Sequence, residues 1–474
     1  ADTYYKNFEP RVGFAFTPGW LNEKVVLRGA YTIITGPLEY ADYGQGLSAG
    51  FTQGHDHNSF SINPVSSFDA GFPAADQYVV NTNPSQRNGN QIDAVLRTDG
   101  RPSTIQNWSL ETQTQLARDL IFTLGYVGQH SVRLRGYLYE PNDMPLSGFA
   151  LGDLLNAPAN SPQAAAAGIK LPYAGFPTQG GDTRVGQALR PFPQLGFMSN
   201  DNYLQNRGQA TYHAMEVKLE RHFTSGLNLL ASYTWSKTMT DADSIQPFFA
   251  TLLGQGGTQN PYNLKAEKAV SNQDVPNNFV VSYLYDLPVG RGKRFLGHTP
   301  KVVDAIIGGW RVGGIQRYLS GQPVSFFGLA TGPPSGFSFG IRPDRVAGQS
   351  LLTPIGKSGN YDPHNLSQSI FSKAAFADPN NNAIRKGGPF RFGNLSRNST
   401  EYRTPASLNE DININKSFKI HDNWNIDFRG EMFNAFNRHI FNKPDTNIND
   451  NQFGQIGSTL NGPRQVQFVL KVRY

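Results

Sequence analysis

The sequence predicts an all-β fold, an antiparallel transmembrane β-barrel. Three observations predict it: apolar and polar residues alternate at period two, the connections between these segments alternate in length, and charged residues are scarce while aromatic residues are plentiful. Strands whose side chains point alternately to lipid and to a watery lumen produce the first pattern. Short turns on one side of a membrane and long loops on the other produce the second.

The period-two pattern is clearest in the last segment of the chain. Val466, Phe468 and Leu470 share one face, and Gln467 and Lys471 lie on the other. About eleven such segments occur, each with roughly the 9–11 residues that a tilted strand needs to cross a bilayer. They lie near residues 8–17, 23–34, 105–117, 119–130, 210–223, 226–236, 277–287, 308–319, 407–419, 423–436 and 464–474. Charged side chains are costly toward lipid, so the polar faces are predicted to line the lumen.

The connections alternate between short and long. The short ones lie at 17–22, 118, 224–225, 288–307 and 420–422. The long ones lie at 35–104, 131–209, 237–276, 320–406 and 437–463. Compact soluble domains rarely hold several loops of more than about 15 residues, whereas outer-membrane barrels do. We therefore predict periplasmic turns at the short connections, although 288–307 is longer than this rule expects, and extracellular loops at the long ones.

Two segments of low complexity, residues 157–168 and 378–383, fall in these long connections. Mobile tips of small and polar residues are unremarkable in such loops. The chain has no repeat in the 20–50-residue range that would indicate a solenoid or a propeller.

Composition excludes several classes of protein. Aromatic residues make up 12% and charged residues 16%, whereas disordered chains are poor in aromatics and rich in charge. The absence of cysteine removes disulfides, thiolate metal sites and cysteine nucleophiles. The net charge of +6 is not gathered on a basic face with interleaved aromatics, so no nucleic-acid partner is predicted. No apolar stretch approaches the ~18 residues of a transmembrane helix.

Two pairs of residues resemble metal sites but are interpreted as structural. His55 and His57 lack a third and a fourth ligand at a fixed spacing. Asp241 and Asp243 lack the glycine and the distal glutamate of a calcium loop. The sequence therefore predicts no metal site.

Catalytic and phosphate-binding motifs are not found either. Gly290, Gly292 and Lys293 fail the spacing of a phosphate-binding loop and predict a tight turn instead. Glu216 and Glu220 share one strand face, where a solvated lumen wall explains them better than a hydrolase pair. No Ser-His-Asp, HExxH or Gly-x-Ser-x-Gly pattern occurs. We predict no catalytic or cofactor-binding residues, no cofactor and no enzyme activity.

The aromatic residues predict the two edges of the membrane. Aromatic girdles at strand ends mark the interfaces of outer-membrane barrels, and a β-sandwich core is the alternative interpretation. The residues expected in such girdles are Trp20, Trp108, Trp235, Trp310, Trp424 and Tyr474.

Several short motifs, each present once, are spread over nearly the whole chain. They lie at residues 7–16, 278–295, 308–315, 320–323, 428–437, 453–456 and 463–468, the last leading to the terminal Tyr474. In this order and spacing they resemble the barrel of TonB-dependent receptors of Gram-negative bacteria, especially the Oar-like branch.

This resemblance implies a barrel of about 22 strands that is plugged by an N-terminal globular domain and energised by the inner-membrane TonB complex. Residues 1–474 would then be the C-terminal portion of such a barrel, with the plug domain and the signal peptide absent. Tyr474 resembles the terminal signal that the barrel-assembly machinery recognises.

The expected function is that of a receptor and transporter in the outer membrane. Extracellular loops would bind a ligand and the lumen would pass it to the periplasm, with ligand choice in loops 35–104, 131–209 and 320–406. Outer-membrane lipid is a further expected partner. Siderophore, glycan, peptide and protein ligands all remain open. The alternative is a secreted or surface multi-domain β-sandwich that binds glycans, which predicts aromatic faces buried between sheets. A barrel enzyme is a third class, but it needs a nucleophile constellation that the sequence lacks.

Overall fold

A computed structural model of the chain describes residues 4–21, 23–36, 67–71, 101–176, 182–196, 198, 205–224, 226–243, 258–362, 365, 367–421 and 424–473. Three residues singled out from the sequence, His55, His57 and Tyr474, lie outside this set. Most of the connection 35–104 also lies outside it.

Eleven long strands form one antiparallel sheet in chain order, as predicted. Each pairs with the next along this path, and a short turn can join antiparallel neighbours directly. Their bounds are β1 Arg11–Phe16, β2 Val25–Thr35, β3 Thr104–Ala117, β4 Leu120–Gly136, β5 Gln205–Thr224, β6 Leu227–Thr240, β8 Asn277–Asp286, β9 Trp310–Leu319, β14 Ser407–His421, β15 Trp424–Phe433 and β16 Gln465–Arg473.

Five shorter strands and several helices lie in the connections. The short strands are β7 Ala269–Val270, β10 Pro323–Val324, β11 Asp344–Arg345, β12 Phe376–Ala377 and β13 Ser399–Arg403. The α-helices are Pro162–Ala166, Val185–Ala188, Leu264–Glu267, Lys301–Ile307, Pro354–Ser358 and Asn382–Arg385, and the 3-10 helices are Gly19–Leu21, Leu146–Asn156 and Lys373–Ala375. No helix in the described part of the chain is long and apolar enough to cross a membrane.

The strand register separates two faces of the large sheet. Phe428 lies opposite Leu470 on the outward face, and Asp427 lies opposite Lys471 on the inward face. The outward side chains are open to the surroundings: 71% of Phe468 and 50% of Leu110 is exposed. A β-sandwich would bury this face against a second sheet, so the β-sandwich alternative is wrong. An apolar band that faces outward is instead what a lipid-facing barrel wall requires.

Two charged side chains of β14 break the alternation, because the register places them on the outward face. Glu410 accepts hydrogen bonds from Nε of Arg438 at 2.8 and 2.9 Å. Lys416 donates to the carbonyl oxygens of Ile306 and Gly308 at 2.9 and 2.5 Å. Only 1% of Glu410 and 4% of Lys416 is exposed. Each charge thus has its own protein partners, which offsets the cost of placing it beside lipid.

Glycines on the outward face provide room for aromatic rings of the neighbouring strand. A Cβ atom on Gly29 would lie 2.3 Å from the Phe14 ring, and one on Gly128 would lie 2.3 Å from the Trp108 ring. Aromatic side chains that cover strand glycines restore the packing that a glycine lacks and fix the register. These pairs therefore tie β1 to β2 and β3 to β4.

Gly128→Ala is expected to destabilise the barrel by roughly 1–3 kcal/mol, since the Trp108 ring has to move away from the added methyl group. The matched control is Gly125→Ala in the same strand, where a Cβ would have no neighbour nearer than 3.9 Å. Melting temperature and heat-modifiable gel migration of the purified protein measure the difference. Equal losses in the two variants would contradict this role of Gly128.

The sheet has two free edges. β1 pairs with β2 and β16 pairs with β15, and no other described strand pairs with either of them. The barrel is therefore not closed by the described strands. An open edge exposes backbone donors and acceptors, which a bilayer cannot satisfy.

The connections alternate in length as predicted. Turns between β1 and β2, β3 and β4, β5 and β6, β8 and β9, and β14 and β15 are the short ones. The predicted tight turn at residues 290–293 is confirmed, with Gly290 and Gly292 at φ of +119° and +72°. The turn between β8 and β9 is longer than the others because it contains the helix Lys301–Ile307.

Three strands extend farther on the side of the long connections than the sequence predicted. They are β4 with 17 residues, β5 with 20 and β6 with 14, compared with the ~9–11 that a membrane crossing requires. Trp310 and Trp424 begin their strands, and Trp108 lies near the start of β3, as predicted. The prediction that the tryptophans lie near strand ends is wrong for Trp235, because β6 continues past it to Thr240.

Candidate functional site

The inward face of the sheet is a polar wall with paired charges. Arg28 donates to Glu111 at 3.1 Å and to Gln113 at 2.7 Å. Lys218 lies 2.8 Å from Glu220 on the same face of β5. The predicted lumen role of Glu216 and Glu220 agrees with this register, which places both on the inward face. These pairs are half-exposed, so they keep the wall polar and accessible to solvent but contribute little to stability.

Two hollows lie along this wall. The larger, of about 510 Å³, is lined by Arg28, Glu111 and Glu216 together with small residues such as Ala30 and Gly125. The smaller, of about 250 Å³, lies nearer the strand ends that lead into the long connections. It is lined by neutral residues: Gln129, Ser131, Ala210, Thr211, Tyr212 and Thr238. The small side chains leave these hollows unfilled, and hydroxyl and amide groups provide hydrogen-bond donors and acceptors in them.

The described parts of connections 137–204, 320–406 and 434–464 are folded, with two hydrophobic clusters of their own. The first loop cluster joins connections 137–204 and 320–406 and contains Met144, Phe149, Leu155, Ala159, Ala164, Phe176, Val185, Phe337, Phe339 and Phe390. The second loop cluster joins 320–406 and 434–464 and contains Val324, Phe326, Leu351, Ile370, Phe371, Ala375, Phe376, Leu395 and Phe453. Each cluster draws on connections far apart in sequence, so the loops form a common structure.

The two low-complexity segments belong to this folded structure. Residues 157–168 include the helix Pro162–Ala166, which Ser161 caps by accepting from the Ala164 amide at 3.2 Å. Ala164 is fully buried in the first loop cluster. In residues 378–383, the side chain of Asn380 is buried and donates to the Arg391 carbonyl at 3.0 Å. Small residues are used here for close packing and capping, which composition alone does not distinguish from a free loop.

Three arginines of connection 320–406 hold it to carboxylates of connection 241–276. The pairs are Arg342–Glu267 at 2.6 Å, Arg397–Asp243 at 3.4 Å and Arg403–Asp274 at 2.8 Å. All three carboxylate side chains are at most 6% exposed. Paired charges at these depths are costly to separate, so the pairs hold the loops at a fixed position above the strand ends.

Asp241 and Asp243 take part in this attachment. Asp241 accepts from the Gln209 amide at 2.5 Å. Asp243 accepts from the Ser271 hydroxyl at 2.8 Å and from Asn398 at 2.6 Å. Their carboxylate oxygens thus accept hydrogen bonds from protein donors. Among the described residues, no group of three or more His, Asp and Glu side chains is placed to hold a metal ion.

A buried carboxyl group links the two connections of the first loop cluster. Asp143 accepts from the Ser338 hydroxyl at 2.5 Å and lies 4.0 Å from Arg190. Its second oxygen is buried without a hydrogen-bond partner. Burial raises the pKa of Asp143 from 3.8 to about 7. This group could not be found from the sequence, since its partner Ser338 lies in a distant connection.

This raised pKa predicts loops that loosen as the pH rises. The unfolded chain releases the Asp143 proton near pH 4 and the folded chain near pH 7, so stability falls as pH rises through this window. Asp143→Asn keeps an acceptor for Ser338 and is expected to remove the dependence. Amide exchange in the first loop cluster, compared between the two proteins at pH 5 and pH 8, measures it. The half-exposed Asp153 provides the control, Asp153→Asn, which should leave the pH dependence unchanged.

An apolar outward face, a polar inward face, and short and long connections on opposite sides define an outer-membrane barrel wall. A family model described as an outer membrane beta barrel domain matches residues 1–467. The chain therefore belongs to this family and lies in the outer membrane. The fold class predicted from the sequence is confirmed.

Solved structures that the chain resembles are outer-membrane transporters and receptors. The outer membrane transporter YddB from Escherichia coli is 7% identical, with a TM-score of 0.43 over 96% of this chain and 39% of that one. The ferric-catecholate import receptor Fiu from E. coli is 11% identical, with a TM-score of 0.38 over 98% and 34%. The ferripyoverdine receptor of Pseudomonas aeruginosa is 12% identical, with a TM-score of 0.38 over 98% and 32%.

The chain thus spans less than two fifths of the length of each of these three proteins. No curated protein matches it.

Proposed function

We propose that the chain is the C-terminal portion of the barrel of a TonB-dependent receptor, which binds a ligand with its extracellular connections and passes it to the periplasm. One observation carries the proposal: the long connections have two cores of their own and are held by buried ion pairs above a polar wall. A barrel that only filled the membrane would gain nothing from ordered loops, because ordering them costs conformational entropy. Ordered loops do suit a preorganised binding surface.

The ligand surface is proposed to include exposed aromatic residues of connections 137–204 and 241–276. Phe192 and Tyr262 are 45% and 48% exposed. The Arg207 guanidinium stacks over the Tyr139 ring at 4.3 Å, and the Tyr139 ring meets the Tyr262 ring edge-on at 6.4 Å. Exposed aromatic rings beside a cation suit a ligand with both apolar and anionic parts.

The remaining parts of the proposal concern partners. Further strands would pair with the free edges of β1 and β16 and close the barrel. A plug domain would contact the TonB complex, and Tyr474 would be read by the barrel-assembly machinery. We expect no enzyme activity, since a receptor needs binding and passage alone.

Surface labelling tests the proposed orientation, and the absence of native cysteines makes the labelling specific. Ala167→Cys lies in an exposed part of connection 137–204, and Ala305→Cys lies in the exposed helix of the turn between β8 and β9. On intact cells, a membrane-impermeant maleimide should label the first variant alone. Both should react after the outer membrane is permeabilised. Labelling of Ala305→Cys on intact cells would invert the orientation and refute extracellular binding by these loops.

Growth tests the proposed transport. Cells with the gene, cells without it, and cells with the gene but no TonB complex are grown with a ferric chelate, an oligosaccharide or a peptide as the sole source of iron, carbon or nitrogen. The proposal expects faster growth on at least one of these sources only when both gene and complex are present. A growth advantage that survives loss of the complex would contradict TonB dependence, and equal growth on all sources would contradict uptake of these ligands.

A further inference from the structure

The turn between β8 and β9 has an apolar surface that the protein does not cover. In the helix Lys301–Ile307, Val302 is 78% exposed and Ile306 is 68% exposed. Just before the helix, Phe295 and Leu296 are 53% and 60% exposed. Exposed apolar side chains gathered in one turn indicate a contact surface.

This surface lies at the edge of the lipid-facing wall. Lys416 lies on the outward face of β14, opposite Trp310. Its ammonium group donates hydrogen bonds to the carbonyl oxygens of Ile306 and Gly308. The Trp310 indole N–H also donates to the Ile306 carbonyl, at 2.9 Å. These three hydrogen bonds fix the C-terminal end of the helix beside the outward face. The uncovered apolar side chains therefore continue the apolar band of the barrel wall.

The same turn is rich in positive charge. Arg291, Lys293, Arg294 and Lys301 are all exposed, and none of them forms an ion pair with another described residue. The one acidic residue of the helix, Asp304, accepts a hydrogen bond from the Arg291 amide at 2.5 Å and so caps the turn itself. Four cations next to an apolar surface are complementary to phospholipids that carry a net negative charge.

We propose that this turn is an interfacial anchor that binds anionic phospholipid in the periplasmic leaflet of the outer membrane. Val302, Ile306 and Leu296 enter the boundary between headgroups and acyl chains. Arg291, Lys293 and Arg294 bind lipid phosphates at the level of the headgroups. Lys416 and Trp310 position the helix for this contact from the barrel side. The role is separate from ligand transport, because it involves neither the loops nor the lumen.

Two measurements on the full-length protein test the anchor. The first places an environment-sensitive fluorophore on Val302→Cys and, as a control at an exposed position of connection 137–204, on Ala167→Cys. In vesicles of phosphatidylcholine with phosphatidylglycerol, emission from position 302 should be blue-shifted and quenched by lipid-borne nitroxide more strongly than emission from position 167. Equal quenching at the two positions, or emission typical of water at position 302, would overturn insertion of this face.

The second measurement follows lipid choice by native mass spectrometry in equimolar phosphatidylglycerol and phosphatidylcholine. The wild type should retain phosphatidylglycerol preferentially. Changing Arg291, Lys293 and Arg294 to Gln should lower this binding by about fivefold for each charge removed. Arg118→Gln removes an exposed cation from another short turn and should leave the preference unchanged. A preference that is absent in the wild type, or that survives the triple change, would overturn headgroup recognition. Heat-modifiable migration verifies that every variant is folded.

Discussion

Replacing Arg342 by methionine is expected to release connection 320–406 from connection 241–276. Arg342 donates to both oxygens of Glu267, at 2.6 and 3.3 Å, and its Nε donates to the Leu395 carbonyl at 3.0 Å. The Glu267 side chain is fully buried, so methionine would leave a buried carboxylate held by two backbone amides alone. Breaking a buried pair from one side costs about 3–5 kcal/mol.

A double-mutant cycle separates the lost pair from general disruption of the loops. Amide exchange of the long connections reports the local free energy of opening, and exchange in β14–β16 reports on the barrel. Adding Glu267→Gln to Arg342→Met removes the uncompensated charge and should restore part of the lost stability. Arg391→Met, which removes a cation that is 55% exposed from its pair with Asp344, serves as a control and should cost under about 1 kcal/mol. Equal losses for Arg342→Met and Arg391→Met would show that burial of the pair is unimportant.

Phe371→Ala should disrupt the second loop cluster. The Phe371 ring is 2% exposed and packs against three aromatic rings, those of Phe326, Tyr402 and Phe453, at centroid distances of 5.0, 4.9 and 5.8 Å. Truncating a buried phenylalanine to alanine costs about 3–5 kcal/mol, because the transfer free energy is lost and a cavity remains.

The lost stability should appear as faster amide hydrogen exchange in connections 320–406 and 434–464 together, since both contribute to this cluster. Ile384→Ala, at a position 69% exposed, is the matched control and should change the opening free energy by less than about 0.5 kcal/mol. If Phe371→Ala loosened only one connection, the two would not share a core.

The barrel wall was predictable from the sequence because its signal is local. A strand with lipid on one side and water on the other repeats every second residue, so Val466, Phe468 and Leu470 define a face without knowledge of the neighbouring strands. The outward placement of Glu410 and Lys416 was not foreseen. Arg438 and the end of the helix Lys301–Ile307 satisfy these two side chains, and neither partner is adjacent to them in sequence.

The loop structure was not predictable for the same reason. The ring centroids of Phe149 and Phe337 lie 5.1 Å apart, although the two residues are 188 positions (337 − 149) apart in the sequence. Neither residue belongs to a periodic segment. The Asp241 and Asp243 pair was interpreted from the sequence as structural, without its partners. Its partners Asn398 and Arg397 become apparent only when the two connections are brought together in space.

The shared loop cores limit how binding specificity can be moved between barrels. Connection 320–406 contributes Phe337 to one loop cluster and Phe371 to the other, and three of its arginines pair with carboxylates of connection 241–276. If it were grafted alone onto a foreign barrel, both clusters would be incomplete and the three arginines would lack their carboxylate partners. The binding specificity proposed for these loops is therefore transplantable only as a set of connections. Recombination that exchanges loops one at a time would produce unfolded loops before it produced a new binding specificity.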